Sequence, residues 1–347
     1  MRRVRAGLAL LALAAGCSVP YIAHVSYGQA RILVGRISIE SRLEDPNVSA
    51  KEKEKLRLVQ DAKVFAIEQL GLARTGSYDS VYDTESGPVA WNLSACADDA
   101  FVPFRWDFPI LGSLPYKGYF RLDMAIEEAR ELKSRKMDIL LYAPEAYSTL
   151  GWLSDPIFTP MLEEEDDVLV NTIVHELTHA TIFIEKDASF NETLATFVGT
   201  EGSLEYFRAR GGPDDPRLAK AADSEHDTAV FDEEVAALKA QLTALYSLKA
   251  GRAATLQAKA EVFERFRERY KTVVRPRFKG KLAARELRSG LNNAWVLAYD
   301  RYHGDLDVFA RLHRKLGSRM PATIAKLKEL AETKDPRAAL EAFAGPR

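Results

Sequence analysis

The sequence predicts an α+β fold dominated by helix, with one small mixed sheet and a helical C-terminal part. Two observations lead to this prediction. Apolar residues recur at three- and four-residue spacing through most of the 347 residues, as they do in amphipathic helices. Between residues 77 and 145, short aromatic and β-branched segments separated by Gly and Pro are typical of strands and turns.

The N-terminal third of the body begins with two predicted helices. GQARILVGRISIESRLEDP and SAKEKEKLRLVQDAKVFAIEQLGL each carry an apolar face; Asp45-Pro46-Asn47 separates them, and the second helix ends before Gly71. Short strands are predicted in SYDSVYDTESGPVAWNLSACADDAF and RWDFPILGSLPYKGYF. RLDMAIEEARELKSRKM then forms a helix, DILLYAPE a buried strand and AYSTLGWLSDP a loop.

The remainder of the chain is predicted to be helical. Two helices, near 166–185 and 189–209, carry the motifs considered below. After the linker GGPDDP, a helical hairpin turns near Gly251, and two last helices run near 290–302 and 305–333.

No boundary divides the body of the chain convincingly. We therefore predict a single domain over residues 17–347. Within it, 17–165 hold helices and the sheet, 166–209 hold the motif helices, and 216–347 hold the hairpin and the C-terminal helices.

The N-terminus has the layout of a secretory signal peptide over residues 1–16. Arg2, Arg3 and Arg5 precede an apolar run that is too short for a transmembrane helix. The ending Ala-Ala-Gly-Cys resembles a bacterial lipobox, in which Cys17 is lipidated and begins the mature chain. A plain signal peptide cut nearby, or an uncleaved anchor, is the alternative.

A lipidated Cys17 would tether the protein to a membrane and leave its body in the periplasm. Ser18 behind that cysteine resembles lipoproteins sent to the outer membrane. The second cysteine, Cys96, would then have no partner within the chain, and we expect it to be a buried thiol. The net charge of −2 and a pI near 6.4, without a basic stripe, argue against a nucleic-acid partner.

The segment VHELTHA places His175 and His179 four residues apart, on one face of a helix. Two imidazoles at this spacing can occupy two corners of a zinc tetrahedron. Glu176, beside the first histidine, can then take a proton from a water that zinc acidifies to a pKa of about 7. The alternative is a pair of core histidines bonded to backbone or carboxylates; the apolar flanks make burial without any partner costly.

A third ligand is needed downstream of the histidines. In the pattern HExxHxxGxxH a glycine turns the chain back to the metal, but Ile182 stands at that position, so the helix is expected to carry Glu185 away. We therefore predict Glu192, in the first turn of the next helix, as the ligand. The alternative is that Ser189-x-x-Glu192 is a capping box. Glu201 is a reserve ligand, but it points roughly 180° away from Glu192 at about 100° per residue.

Several segments resemble the predicted aminopeptidase family of bacterial lipoproteins, whose members are regarded as gluzincin-like zinc peptidases. They are RWDFPILGSLPYKGYF, AYSTLGW with Asp155-Pro156, HELTH, DASFNETLATFV and LNNAWVLAYDRYH. The resemblance implies a zincin-like core, zinc ligation by His175, His179 and Glu192, and Glu176 as the base. Thr178 and Ala180 depart from the family pattern at positions that are not ligands.

Further candidate residues follow from what a zinc peptidase needs. Tyr302, in the matching C-terminal segment, is a candidate donor to the oxyanion, with His303 as the neighbouring alternative. Asn191 is placed beside the ligands or in a helix cap. The segment Tyr116-x-Gly118-Tyr119 can form an edge strand that pairs with an extended peptide, or simply a packed aromatic hairpin.

The acidic residues 163–167 are expected at a helix N-terminus, where the helix dipole favours negative charge. Recognition of a substrate amino group is the alternative for them. The sequence as a whole predicts a zinc-dependent aminopeptidase acting on peptides. The rivals are a non-catalytic zinc-binding envelope protein and a hydrolase with another substrate.

Overall fold

The computed structural model describes residues 18–85, 87–108, 112–144, 149, 153–185, 187–280 and 290–346. It is mostly helical with small sheets, which confirms the α+β prediction. None of the described helices is long and apolar enough to cross a membrane. The predicted signal peptide and Cys17 lie outside the described residues.

Two of the N-terminal helices begin at serine residues that cap them. The helices of this part are α1 (Ser18–Gly35), α2 (Ile39–Glu44), α3 (Ala50–Glu68) and α4 (Leu122–Ser134). Ser38 and Ser49 begin α2 and α3, each accepting a backbone N–H of the first turn through its hydroxyl oxygen.

The strands form two sheets and a hairpin instead of the single sheet predicted. The strands are β1 (Ile37–Ser38), β2 (Ser80–Tyr82), β3 (Trp91–Ala97), β4 (Trp106–Phe108), β5 (Gly112–Leu114), β6 (Lys117–Tyr119), β7 (Met137–Tyr142) and β8 (Ile157–Phe158). One sheet has the order β1-β2-β8 and is mixed; the other has the order β6-β3-β7 and is antiparallel. The prediction was wrong because β2 pairs with β8, where Val81 meets Ile157, and local patterning does not reveal such a distant partner.

The two motif helices are α5 (Asp166–His179) and α6 (Ala188–Gly211), and the first is shorter than predicted. The expected continuation to residue 185 is wrong. Asn191 accepts the N–H of Ile184 and donates to its carbonyl, both at 2.8 Å, which holds the connection as a loop. Ile182 is buried within that loop, so its apolar character reflects packing and not helix.

The helical hairpin is confirmed, and it comprises α7 (Pro216–Ser247) and α8 (Arg252–Arg269). Gly251 makes the turn with φ of 82°, a conformation that glycine adopts without strain. The last helices are α9 (Asn293–His303), α10 (Leu306–Lys315), α11 (Met320–Ala331) and α12 (Pro336–Ala344). The single helix predicted over 305–333 is wrong, because Gly317 and Ser318 have positive φ and separate α10 from α11.

One apolar cluster contains the motif helices, and a second contains elements that pack beside them. The larger joins α3, α5 and α6 to α10–α12, and the second joins α7–α9 to β3 and β7. Cys96 lies in the second cluster with no exposed surface, which confirms the buried thiol. Because α9 packs on α6 as well as on β3, it brings the C-terminal segment to the motif helices. The Thr193 hydroxyl donates to the Arg301 carbonyl at 3.0 Å across this contact.

Candidate metal centre

The helix α5 brings His175 and His179 together as their spacing predicts. Their Nε2 atoms are 3.2 Å apart, and the rings are nearly perpendicular, with centroids separated by 4.9 Å. His179 is buried, whereas His175 retains 15% of its side-chain exposure. Both histidines are therefore largely shielded, with His175 nearer to solvent.

Glu192 adds a third ligand-type atom from the first turns of α6. Its Oε2 lies 3.5 Å from Nε2 of His175 and 3.3 Å from Nε2 of His179. A tetrahedral zinc ion with bonds of about 2.0–2.1 Å separates its ligand atoms by about 3.3–3.4 Å. The three atoms thus match one face of such a tetrahedron, and the donor set suits zinc.

The N-terminus of α6 shows that Glu192 is not needed as a cap. Asp187 is the N-cap, and its carboxylate accepts the Phe190 N–H at 3.0 Å. The capping-box alternative for Ser189 and Glu192 therefore does not describe this helix. Glu192 instead directs its carboxylate to the two histidines.

Two glycines allow α6 to approach α5 closely behind the centre. A Cβ at Gly199 would lie 3.1 Å from the Asn171 carbonyl oxygen and 3.2 Å from Cβ of His175. At Gly202 it would lie 2.9 Å from a methyl group of Val174. A larger side chain at either position would therefore require the two helices or their side chains to shift.

The buried charges of the centre stabilise one another. Burial alone would raise the pKa of Glu192, but His179 and His175 outweigh it and hold this pKa well below its usual range. Burial would lower the pKa of His179, and the Glu192 carboxylate reverses the shift. Glu192 is therefore ionised at neutral pH, as a metal ligand must be.

Two buried atoms at the centre have no hydrogen-bond partner. They are Oε2 of Glu176 and Nδ1 of His179. Glu176 follows the first histidine directly, and its carboxylate is close enough to the centre to help raise the pKa of His179. Buried acceptors in folded proteins are nearly always satisfied, so an unsatisfied one at this position is consistent with a role toward a ligand.

Tyr302 joins the centre from α9. Its ring lies 6.4 Å from the His175 ring, centroid to centroid, with an interplanar angle of 25°. Burial, and after it Glu192, raises the pKa of Tyr302, so its hydroxyl remains a donor at neutral pH. The alternative residue, His303, lies against other groups: its ring stacks on Tyr299 at 4.3 Å, and its Nδ1 lies 3.3 Å from an Asp232 oxygen without a hydrogen bond.

The residues of the predicted peptide-binding segment have different surroundings in the structure. The strand β6 does lie at the edge of its sheet, as expected. However, the Gly118 carbonyl accepts the Tyr21 hydroxyl at 2.9 Å, and Tyr119 is buried against Glu128. Both are thus occupied by contacts within the fold, whereas Tyr116 lies beneath the Arg301 guanidinium at 4.9 Å.

Other predicted residues lie away from the three converging atoms. Glu185 is exposed in the loop after α5. Glu201 lies 4.0 Å from Nε2 of His313, on the side of α10. Asn191 fixes the loop through the Ile184 backbone instead of capping α6. Of residues 163–167, Asp166 and Asp167 occupy the first turn of α5, as the dipole argument predicts.

Sequence reasoning missed Arg301 and Tyr78. Arg301 is 6% exposed and its Nη1 has no partner. Tyr78 is buried with φ of 64°, and its N–H donates to the Asp155 carbonyl at 2.7 Å. Burial, and after it Glu176, raises the pKa of Tyr78. Neither residue stands in a pattern that names its role, although Arg301 directly precedes Tyr302 in the segment that carries the family resemblance.

A comparison with known proteins shows to which family the chain belongs. The chain matches the model of a family of peptidases, whose description is “Putative aminopeptidase”, over residues 20–340. Since this match spans nearly all of the 347 residues, the chain belongs to that family. No curated protein and no solved structure matched the chain. The aminopeptidase part of the resemblance noted in the sequence is thereby confirmed.

Proposed function

We propose that the protein is a zinc-dependent peptidase with a zincin-like core, in which His175, His179 and Glu192 hold the metal. The observation that carries this proposal is the set of three ligand atoms 3.2–3.5 Å apart. Membership of the aminopeptidase family supports peptide hydrolysis as the reaction. Arrival of the third ligand from the helix that follows the HExxH helix supports the gluzincin arrangement.

The number of converging ligands favours a catalytic site over a structural one. Structural zinc sites are usually closed by four protein ligands, whereas catalytic sites use three and keep one position open. Among the described residues, three ligand-type side chains converge here. The partial exposure of His175 is consistent with access for a substrate.

The residues around the centre supply the remaining parts of the reaction. When bound, zinc acts as a Lewis acid and lowers the pKa of water to about 7, so that a nucleophile is available at neutral pH. Glu176 accepts the proton of the attacking water and returns it to the amine nitrogen as the peptide bond breaks. Tyr302 donates a hydrogen bond to the carbonyl oxygen as negative charge develops there. Tyr116 lies beside these groups and is placed to contact the substrate.

The location of the protein belongs to the same proposal. The Arg-rich start and the Ala-Ala-Gly-Cys ending support a lipid anchor on Cys17, facing the periplasm at the outer membrane. Cys17→Ala should abolish lipid labelling and release the protein from the membrane fraction. Unchanged membrane association of that variant would contradict lipidation as the anchor.

Metal analysis combined with a peptide-library digest tests the function. Protein purified without chelators should contain about one zinc per chain, and chelation should remove both the metal and hydrolysis. Added zinc should restore both. Free and acetylated amino termini in the library distinguish aminopeptidase from endopeptidase cleavage. Absence of stoichiometric metal, even after zinc is added back, would contradict the proposal; zinc without hydrolysis would favour a binding protein.

A further inference from the structure

Arg301 is a buried cation without a counter-ion. It is 6% exposed, and its Nη1 is buried with no hydrogen-bond partner. In the described part of the chain, the Tyr116 ring lies against its guanidinium, with the ring centroid 4.9 Å from Cζ. Among the described residues, no carboxylate lies within salt-bridge distance of its guanidinium.

Another shielded arginine, Arg311, is paired with carboxylates, unlike Arg301. The Arg311 side chain is 9% exposed, and it bonds to Asp307 and Glu341 at 2.9 and 3.0 Å. Arginine is always charged at neutral pH, and burial of its charge is unfavourable unless the charge is paired. Arg301 therefore has the properties of a ligand-binding group, which its own fold leaves unsatisfied.

Arg301 belongs to the wall of the metal centre. It precedes Tyr302 on α9, and its carbonyl accepts the hydroxyl of Thr193, the residue after Glu192. Its guanidinium covers Tyr116, which lies in the electrostatic field of Glu192, Arg301 and Glu176. Since Glu192 and Glu176 face the metal in the proposed function, the charge left for the substrate on this wall is positive.

We propose that Arg301 binds a carboxylate of the substrate, namely the free C-terminal carboxylate of a short peptide held with its scissile bond at the metal centre. The inference rests on the proposed peptidase function and narrows its substrate class to di- and tripeptides. A guanidinium offers a planar fork of N–H donors that matches a carboxylate in two parallel bonds. Longer peptides place this carboxylate beyond the site and lose the interaction.

The test measures binding separately from hydrolysis. Dialanine and trialanine, each as the free acid and as the C-terminal amide, are titrated by calorimetry into zinc-loaded Glu176→Gln protein, in which hydrolysis should be about 100- to 10,000-fold slower. The acid should bind about 10- to 100-fold more tightly than the amide, as expected for hydrogen bonds to a charged group. Arg301→Met in the same background should remove this difference by weakening the acid alone. Arg301→Lys should keep part of it, because the charge remains and the fork is lost.

Arg311→Met is the matched control. It removes another shielded arginine, so it should lower the melting temperature while leaving the preference for the acid intact. Arg301→Met should not lower the melting temperature, because it removes an unpaired buried charge. If Arg301 had a structural role, Arg301→Met would lower the melting temperature and leave the preference for the acid intact.

Three results would overturn the inference. They are equal binding of acid and amide by the parent protein, a preference for the acid that survives Arg301→Met, and equal weakening of both ligands by Arg301→Met. The last would indicate an oxyanion or structural role. Absence of zinc or of hydrolysis in the wild-type protein would instead contradict the proposed function, so the two failures are distinguishable.

Discussion

Two shielded carboxylates in this molecule, Glu128 and Glu192, lie in contrasting surroundings. Glu128, on α4, accepts hydrogen bonds from the Trp106 indole, the Lys117 ammonium and the Tyr119 hydroxyl. Burial would raise the pKa of Glu128, but these three donors lower it. Each of its oxygens is therefore satisfied by the fold, and the group joins α4 to β4 and β6.

Glu192 has a lowered pKa for a related reason, yet its surroundings are incomplete. Its partners are two histidine nitrogens at 3.3 and 3.5 Å, and next to them Oε2 of Glu176 and Nδ1 of His179 are buried without partners. A carboxylate whose donors are all supplied by the fold stabilises that fold. Unsatisfied groups around a carboxylate instead mark the place where a ligand completes the structure.

The largest expected effect is a loss of hydrolysis on substitution of Glu176, beside the metal centre. Glu176→Gln keeps the shape of the side chain and removes the base, so hydrolysis should fall about 100- to 10,000-fold. Zinc content and melting temperature should stay at wild-type values, because no ligand is lost. Peptidase assays and metal analysis of the same preparation measure this. Wild-type activity in a zinc-loaded Glu176→Gln protein would break the mechanism.

Tyr302→Phe should give the next largest loss. Removing one donor to the developing oxyanion lowers kcat by about 100-fold or more, while the ring packing against His175 is kept. Steady-state kinetics should show the change in kcat and little change in KM. If kcat is unchanged and zinc is bound, Tyr302 is a packing residue.

Glu128→Gln should affect stability and leave catalysis intact. The substitution removes the counter-ion of Lys117, whose side chain is 13% exposed, so unfolding in urea should become easier by roughly 1–3 kcal/mol. Activity per folded molecule and zinc content should match wild type. A loss of activity without a loss of stability would contradict a purely stabilising role for Glu128.

The effect of Glu128→Gln should also depend on pH. Since folding lowers the pKa of Glu128, its contribution is fully present above the unfolded value of about 4.3. It is lost as pH falls through the lower folded value. The difference in unfolding free energy between wild type and Glu128→Gln should therefore shrink in acid; a constant difference would contradict the ionised state of the carboxylate.

The sequence predicted the centre better than its surroundings, for a physical reason. Helical geometry alone brings residues four apart to one face, so His175 and His179 could be paired without a structure. Glu192 required one further step, a short loop into the next helix. That loop was placed wrongly because Ile182 continues the apolar pattern of α5, although it packs as loop.

The remaining parts of the site depend on contacts between distant segments. Arg301 reaches Tyr116 across 185 positions, and Glu128 collects its donors from β4 and β6. The pairing of β2 with β8 likewise depends on the folded chain. Local periodicity carries no information about such partners, which is why one sheet was expected where there are two.

The most direct test of Glu192 as a zinc ligand is a comparison of zinc affinities. Competition with a chelating dye measures them for Glu192→Gln, Glu128→Gln and wild type side by side. Both variants exchange one carboxylate for an amide of the same shape. Glu128→Gln should bind zinc as wild type does, whereas Glu192→Gln should lose more than the roughly 10- to 100-fold that follows removal of a group that merely supports a ligand. Wild-type zinc affinity in folded Glu192→Gln would contradict the account.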